Sequence, residues 1–172
     1  MEFKRQIRYY YLKFRRLKGD PHDLSLGIAL GVFAGMMPIL PFQTALAVTL
    51  AVFLKASKIT AALGTWVSNP LNWYFLYYFS YKLGAVVLNL PERNVVFSSI
   101  MQGIRAGEEP TVVAFKILGA GSTIISAFLL GGIVMGLVAA PAAYIIFLPV
   151  FRSFRSWRQS RKEKRNWPLE ER

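Results

Sequence analysis

Residues 24–54 form an almost continuous apolar run, and two prolines in its middle, Pro38 and Pro41, are followed by the polar residue Gln43. Each half of this run is about 13 or 14 residues, roughly 20 Å as an α-helix, whereas the hydrocarbon core of a bilayer is roughly 30 Å thick. Neither half therefore spans a membrane alone. The pattern predicts a re-entrant hairpin of two short helices, and two strongly tilted thin spans fit the same pattern.

A second apolar stretch at residues 59–90 predicts one helical span with a kink. Pro70 removes a backbone hydrogen-bond donor and disfavours helical geometry at Asn69, so the kink is expected there. The aromatic-rich part after the kink is expected to cross to the far side of a membrane, where Lys82 could reach the interface.

The last apolar stretch, residues 112–150, is longer than the roughly 20 residues that a span requires. Gly119 and Gly121 offer a break, which divides the chain into a periplasmic or interfacial segment at 91–126 and a return span at 127–150. Two full spans are the alternative, but without a further span elsewhere they would place the C-terminal tail outside.

Both ends of the chain are basic. Residues 2–18 carry apolar side chains at spacings of three and four, which predicts an amphipathic helix within segment 1–20 that lies on an anionic membrane surface. A basic face that only fixes topology is the alternative. Residues 151–172 are expected to form a basic cytoplasmic tail. The arginines predicted at the membrane surface are Arg5, Arg8, Arg15, Arg16, Arg152, Arg155 and Arg158.

Composition supports the membrane interpretation, because 54% of the residues are hydrophobic and the mean hydropathy is +0.37. The net charge of +12 is concentrated at the two ends, so the positive-inside rule places both termini of a multi-pass protein in the cytoplasm. Both basic segments adjoin apolar ones directly. We therefore expect anionic membrane lipids, and not nucleic acid, as their partners.

The sequence lacks candidate residues for acid–base catalysis in the membrane and for metal binding. No Asp or Glu lies well inside an apolar segment, His22 is the only histidine, and there is no cysteine. Intramembrane acid–base chemistry needs a buried carboxylate, and a metal site needs clustered ligands. The sequence therefore predicts a protein that is not an enzyme and has no cofactor and no metal site.

The broken helices are the remaining candidate for a site. Breaks inside membrane helices expose backbone N–H groups and positive helix ends, which suit an anionic group such as phosphate. The predicted ligand-binding residues are Pro38, Pro41, Gln43, Thr44, Lys55, Lys58, Asn69, Pro70 and Asn72. Alternatively, the prolines kink helices for packing, Gln43 and Asn69 cap the freed ends, and the lysines only set topology.

Two stripes of small residues predict close helix packing. Gly27, Gly31 and Gly35 recur at intervals of four, and Gly132 and Gly136 do the same on the last apolar segment. Such stripes let helices approach closely in lipid. The two stripes could pack against each other, or either could mediate self-association into a homo-oligomer.

Four motifs, taken in order, resemble an uncharacterised bacterial membrane family catalogued as domain of unknown function two thousand and sixty-two. The motifs are Leu26–Gly35, Pro38 with Gln43, Ser68–Pro70 and Tyr81–Gly84, and the likeness covers about residues 10–150. Members of that family are sometimes fused to lipid-linked sugar glycosyltransferases. The resemblance therefore implies the bacterial inner membrane and a lipid-phosphate context.

A more distant likeness, of architecture only, is to the DedA-type membrane proteins. Those proteins also use proline-bearing re-entrant helices and handle phosphate-bearing lipids. The membrane-embedded acidic and arginine residues of that group are absent from this sequence.

Together these features predict an all-α integral membrane protein with a proline-broken re-entrant hairpin, two or three transmembrane helices and a basic N-terminal surface helix. The predicted function is to bind or translocate an anionic lipid or a phosphate-bearing solute at the broken helices. The alternative is a membrane anchor or scaffold that recruits an envelope-synthesis enzyme, a lipid-linked glycosyltransferase, through its basic ends.

Overall fold

The computed structural model describes residues 19–39, 42–69, 71–90 and 95–166, and for residues 158 and 161–166 it describes the backbone alone. Within these ranges the chain is α-helical and contains no strand, as predicted. The helices are α1 (Pro21–Gly35), α2 (Gln43–Phe53), α3 (Lys58–Gly64), a 3-10 turn (Thr65–Val67), α4 (Trp73–Val87), α5 (Val95–Arg105), α6 (Pro110–Gly119) and α7 (Ser122–Asn166).

Helices α1 and α2 form a hairpin whose two arms are unequal and short. Asp20 caps α1 by accepting a 3.0 Å hydrogen bond from the His22 backbone N–H, and Pro21 occupies the first turn. At about 1.5 Å per residue, α1 is about 22 Å long and α2 about 16 Å. The Ser57 N–H donates to the Asp23 carbonyl at 3.1 Å, so the chain returns to the end of α1 where it began.

Lys55, just after the end of α2, has a left-handed backbone conformation, with φ of 55°. The next N–H group, that of Ala56, donates to the Ala51 carbonyl at 2.8 Å, which closes the helix end and satisfies a carbonyl that would otherwise lack a partner. This turn reverses the chain and directs α3 back along α1.

The glycine stripe of α1 faces α3 and the 3-10 turn. A Cβ atom at Gly27 would meet Thr60, one at Gly31 would meet Ala61 and Gly64, and one at Gly35 would meet Val67. Of the two alternatives for this stripe, packing against Gly132 and Gly136 is therefore wrong. The spacing marks a close backbone approach, but the partner is the short helix that follows the hairpin.

Helices α4, α5 and α6 pack around the N-terminal part of α7. Their shared core contains two tyrosines of α4 and large aliphatic and aromatic residues of the other helices: Tyr77, Tyr81, Ile100, Met101, Val113, Ile117, Ile124 and Phe128. The Ser80 hydroxyl donates to the Phe128 carbonyl at 2.6 Å across this interface. The stretch 59–90, predicted as one kinked span, thus contains two separate helices: α3 packs on α1, and α4 packs on α7.

Helix α7 contacts α1 of the first three helices, and α4 and α6 of the next three. Its 45 residues correspond to about 67 Å. Its N-terminal part packs on α4, Gly132 faces Met36 to Pro38, Gly136 faces Phe33, and Phe151 packs in a core with α1. The molecule therefore has two layers stacked along α7: a first layer of α1, α2 and α3, and a second layer of α4, α5 and α6.

The helix boundaries around α7 differ in part from expectation. The break predicted at Gly119 and Gly121 is present, since α6 ends at Gly119 and α7 begins at Ser122. The return span was predicted to begin at 127, and the tail was treated as a separate segment. The structure instead has one continuous helix to Asn166, with Pro141 and Pro149 inside it.

Large apolar side chains are exposed in both layers. Phe42 is 69% exposed, Phe53 78% and Leu71 92%. Among the described helices, the segment Ser122–Trp157 is long and apolar enough to cross a membrane, and a third of its most apolar window is buried inside the protein.

Candidate functional site

The two helix breaks predicted from the sequence lie side by side. A Cβ atom at Gly35, where α1 ends, would meet the Val67 side chain and the Thr65 carbonyl of the 3-10 turn. The Thr44 and Thr65 hydroxyls are 3.3 Å apart and share a hydrogen bond. The structure therefore brings the start of α2 and the 3-10 turn together, and Gly132 of α7 faces Met36 to Pro38 of the first break.

Gln43 is the most unusual residue of the first break. Its side chain is only 8% exposed, and its Oε1 atom has no hydrogen-bond partner. Helix α2 begins at this residue with no side-chain cap, and the first N–H groups of any helix lack intrahelical partners. An unpaired side-chain acceptor and first-turn N–H donors therefore occur together at one helix end.

An apolar cavity of about 210 Å³ adjoins this helix end. Pro38, Ile39 and Phe42 of the first break line one side of it. The other side is formed by apolar residues of α6 and α7: Ala114, Ile117, Leu118, Ile125, Phe128 and Leu129. A ligand with a polar group at the start of α2 could place hydrocarbon in this cavity.

The second break uses its asparagines internally. The Asn69 side-chain oxygen accepts from the N–H groups of Leu71 and Asn72, at 3.0 and 3.3 Å. The Asn72 side chain in turn accepts from the Asn69 N–H at 3.0 Å and donates to the Val67 carbonyl. Asn69 therefore closes a turn before α4, and neither α4 nor α2 begins with a side-chain cap, so the alternative in which Asn69 and Gln43 cap the freed helix ends is wrong.

Trp73 is a residue of this region that the sequence interpretation missed. It begins α4, and its indole Nε1 is buried without a hydrogen-bond partner. Buried polar atoms are usually paired, so an unpaired one at a helix break is a candidate ligand contact. The only sequence signal was its position directly after the Asn-Pro break.

The structure separates the remaining predicted residues from Gln43. Lys55 and Lys58 are exposed at the opposite end of α2, about 16 Å along the helix axis. Arg152 and Arg155 are exposed near the start of α1, and of Arg158 only the backbone is described. Other predicted residues lie outside the described part of the chain: Arg5, Arg8, Arg15, Arg16, Pro41 and Pro70.

The start of α1 is tied to α7 by polar contacts. Asp20 Oδ2 accepts from Arg155 Nη1 at 3.0 Å, and His22 Nδ1 lies 2.7 Å from the Tyr144 hydroxyl. The His22 backbone N–H, and then the Arg155 guanidinium, hold the pKa of the Asp20 carboxyl below its usual range. In the described ranges no group of three or more His, Cys, Asp or Glu side chains could hold a metal ion.

Comparison with known proteins identifies one relationship. A family model described as "Uncharacterized protein conserved in bacteria (DUF2062)" matches residues 4–160, most of the chain. Comparisons with the curated proteins and with the solved structures found no match.

Proposed function

The chain belongs to this conserved bacterial family, DUF2062, and we propose that it is an inner-membrane protein that binds or translocates an anionic lipid or a phosphate-bearing solute at the first helix break. In this proposal α1 and α2 are a re-entrant hairpin entered from the cytoplasm, and α7 is a full span. Both termini are cytoplasmic, and the chain is not an enzyme.

Membrane insertion is supported by the exposed apolar surface. Soluble monomers rarely expose contiguous apolar patches of more than a few hundred Å². Here large apolar side chains such as Phe53 in the first layer and Phe75 in the second are more than half exposed. The arms of the hairpin, at about 22 and 16 Å, are shorter than a bilayer core of roughly 30 Å, which fits a segment that enters and leaves on one side.

The unpaired Gln43 Oε1 beside the uncapped start of α2 is the observation that carries the binding proposal. An isolated polar atom buried without a partner is costly, and a ligand hydroxyl could supply the missing donor. The N–H groups of the first turn of α2 and the helix dipole favour anionic oxygens. A phosphate ester that also carries hydroxyl groups satisfies both requirements.

The neighbouring cavity selects for amphipathic ligands. Its described lining is apolar, from Pro38 and Phe42 on one side to Phe128 on the other. A lipid acyl chain could lie there while the head group binds at the start of α2. The cavity lies between the first break and helices α6 and α7, and broken helices of transporters likewise hold substrates among packed helices.

The test is native mass spectrometry and lipid titration of the purified full chain, with phosphatidylglycerol as the probe. Gln43→Ala removes the acceptor and is expected to weaken binding by about tenfold, and Gln43→Glu should abolish it by repelling the phosphate. Gln102→Ala, at an exposed glutamine of α5, is the matched control. Unchanged binding in a folded Gln43→Ala variant would refute the site.

One observation favours the scaffold alternative. Arg155 of α7 is paired with the start of α1. The helix continues for eleven more residues, to Asn166, which correspond to about 16 Å. A projecting basic helix could recruit an envelope-synthesis partner. If deletion of residues 161–172 releases a co-purifying enzyme while phosphatidylglycerol binding persists, the scaffold role exists beside the lipid site. If no such partner is released, the scaffold role is excluded.

A further inference from the structure

A second concavity, which is polar, lies at the end of α1 that is opposite the first break. It has a volume of about 230 Å³ and is formed by the start of α1 and the C-terminal part of α7. We name it the rim groove. The polar residues that line it are Asp20, His22, Tyr144, Arg152, Arg155, Ser156 and Gln159, and Leu148 contributes an apolar surface.

The α7 wall of the rim groove is a single helix face. Tyr144, Leu148, Arg152, Arg155 and Gln159 follow one another at spacings of three or four residues, so their side chains lie on the same side of the helix. The face changes from apolar to cationic along its length. This is the arrangement expected where a helix leaves an apolar environment for an aqueous one.

Contacts between the two walls hold the groove in place. The Asp20 carboxylate accepts from the His22 backbone N–H through one oxygen and from Arg155 Nη1 through the other. His22 Nδ1 and the Tyr144 hydroxyl share a 2.7 Å hydrogen bond. The two walls of the groove are therefore joined by direct contacts between α1 and α7.

Arg152 remains available for a ligand. It is exposed, and it makes no ion pair with another described residue, whereas Arg155 is paired with Asp20. The two guanidinium groups of Arg152 and Arg155 outnumber the one carboxylate of Asp20 in the groove. The guanidinium group of Arg152 presents a planar set of donors that matches two phosphate oxygens.

We propose that the rim groove is a binding site for a phosphate monoester, with Arg152 as the primary contact and Arg155 as a second cation. Tyr144 and Gln159 supply further hydrogen-bonding groups, and Leu148 contacts the carbon skeleton of the ester. A lipid head group such as phosphatidic acid and a free ester such as glycerol 3-phosphate share this chemistry. The site is distinct from the one at Gln43, since α1, about 22 Å long, separates them.

The first experiment measures binding of glycerol 3-phosphate by calorimetry, and of phosphatidic acid by native mass spectrometry, to the full chain in mild detergent. Arg152→Gln is expected to weaken binding by about tenfold, and Arg152→Lys should recover only part of it because lysine lacks the planar fork. Lys82→Gln, which removes one charge from exposed α4 surface, is the control and should bind as the wild type does.

Each outcome is decisive. Loss of binding of both probes in Arg152→Gln alone supports a site for phosphate monoesters from either source. Loss for phosphatidic acid alone, with no binding of glycerol 3-phosphate, assigns the site to a lipid head group, and the reverse assigns it to a soluble ester. Equal losses in Arg152→Gln and Lys82→Gln, or none in either, would overturn the proposal.

Asp20→Asn gives an independent test in the opposite direction. Asparagine still caps a helix N-terminus, so α1 should be retained. The change removes a negative charge from the groove and releases Arg155, and phosphate-monoester binding should tighten by several-fold. Binding that is unchanged or weaker in this variant would contradict the proposed role of the two arginines. Gln43→Ala should not affect the rim groove, so failure of either site can be recognised separately.

Discussion

Gly131 of α7 lies so close to Ser80 of α4 that a Cβ atom at position 131 would overlap the Ser80 carbonyl oxygen. The relationship is reciprocal one turn away, where a Cβ atom at Gly84 would overlap the Ala127 carbonyl oxygen. The two helix backbones are therefore in direct contact. This contact attaches the second layer to α7.

Gly131→Ala should therefore destabilise the protein. The added methyl group requires the two helices to separate, and overpacking of this kind typically costs about 1–3 kcal/mol. The measurement is the free energy of unfolding in mild detergent, followed by circular dichroism. Gly119→Ala is the matched control, because no atom would lie within 4 Å of the new Cβ atom. Equal stability of the two variants would show that α4 and α7 are less closely packed than described.

Two buried polar residues should respond oppositely to apolar replacement. Ser80 is fully buried and donates to the Phe128 carbonyl, so Ser80→Ala is expected to cost about 1 kcal/mol. Gln43 is buried with an unpaired Oε1, so Gln43→Leu should leave stability unchanged or raise it by about 1 kcal/mol while phosphatidylglycerol binding falls. If Gln43→Leu destabilises as Ser80→Ala does, the Gln43 amide has a structural partner and the binding proposal loses its main support.

Asn69→Ala should affect stability and leave lipid binding intact. The substitution removes the acceptor for the N–H groups of Leu71 and Asn72 in the turn before α4, and loss of such hydrogen bonds costs about 1 kcal/mol. Asn69→Ser retains an acceptor and should recover part of that loss. The measurements are the free energy of unfolding and phosphatidylglycerol binding for both variants. Weakened binding in a folded Asn69→Ala protein would show that Asn69 belongs to the ligand site.

The sequence predicted local features of the first layer well. Pro38 correctly marked a break between two short helices, and Gln43 was recognised at the new helix start. The glycine stripe of α1 correctly indicated close packing, but the partner was wrong. Spacing shows that a helix presents a flat surface and contains no information about which helix covers it. Here the short helix α3, which follows the hairpin, does so.

Contacts that depend on distant parts of the chain could not be predicted. No partner for His22 could be recognised in the sequence, because Tyr144 lies 122 residues away. Asp20 similarly meets Arg155 across 135 residues. The rim groove therefore had no local signal. Trp73 was one of many aromatic residues in its segment, and the burial of its unpaired indole nitrogen depends on tertiary packing.

The contact between Asp20 and Arg155 should make stability depend on pH in the acidic range. The pKa of Asp20 is held below its unfolded value of about 3.9 by the His22 N–H and by Arg155. A lowered folded-state pKa means that the contribution is fully present above the unfolded value and is lost as the pH falls through the folded value.

Asp20→Asn should therefore unfold at a lower temperature than the wild type at pH 7, and the difference should shrink as the pH falls below about 4. Asp23→Asn is the control, because Asp23 lies in the same first turn of α1 but makes no ion pair with a described residue. Its melting curve should follow that of the wild type more closely at both pH values. Identical pH profiles for the two variants would show that the charge in the first turn, and not the contact with Arg155, stabilises this end of α1.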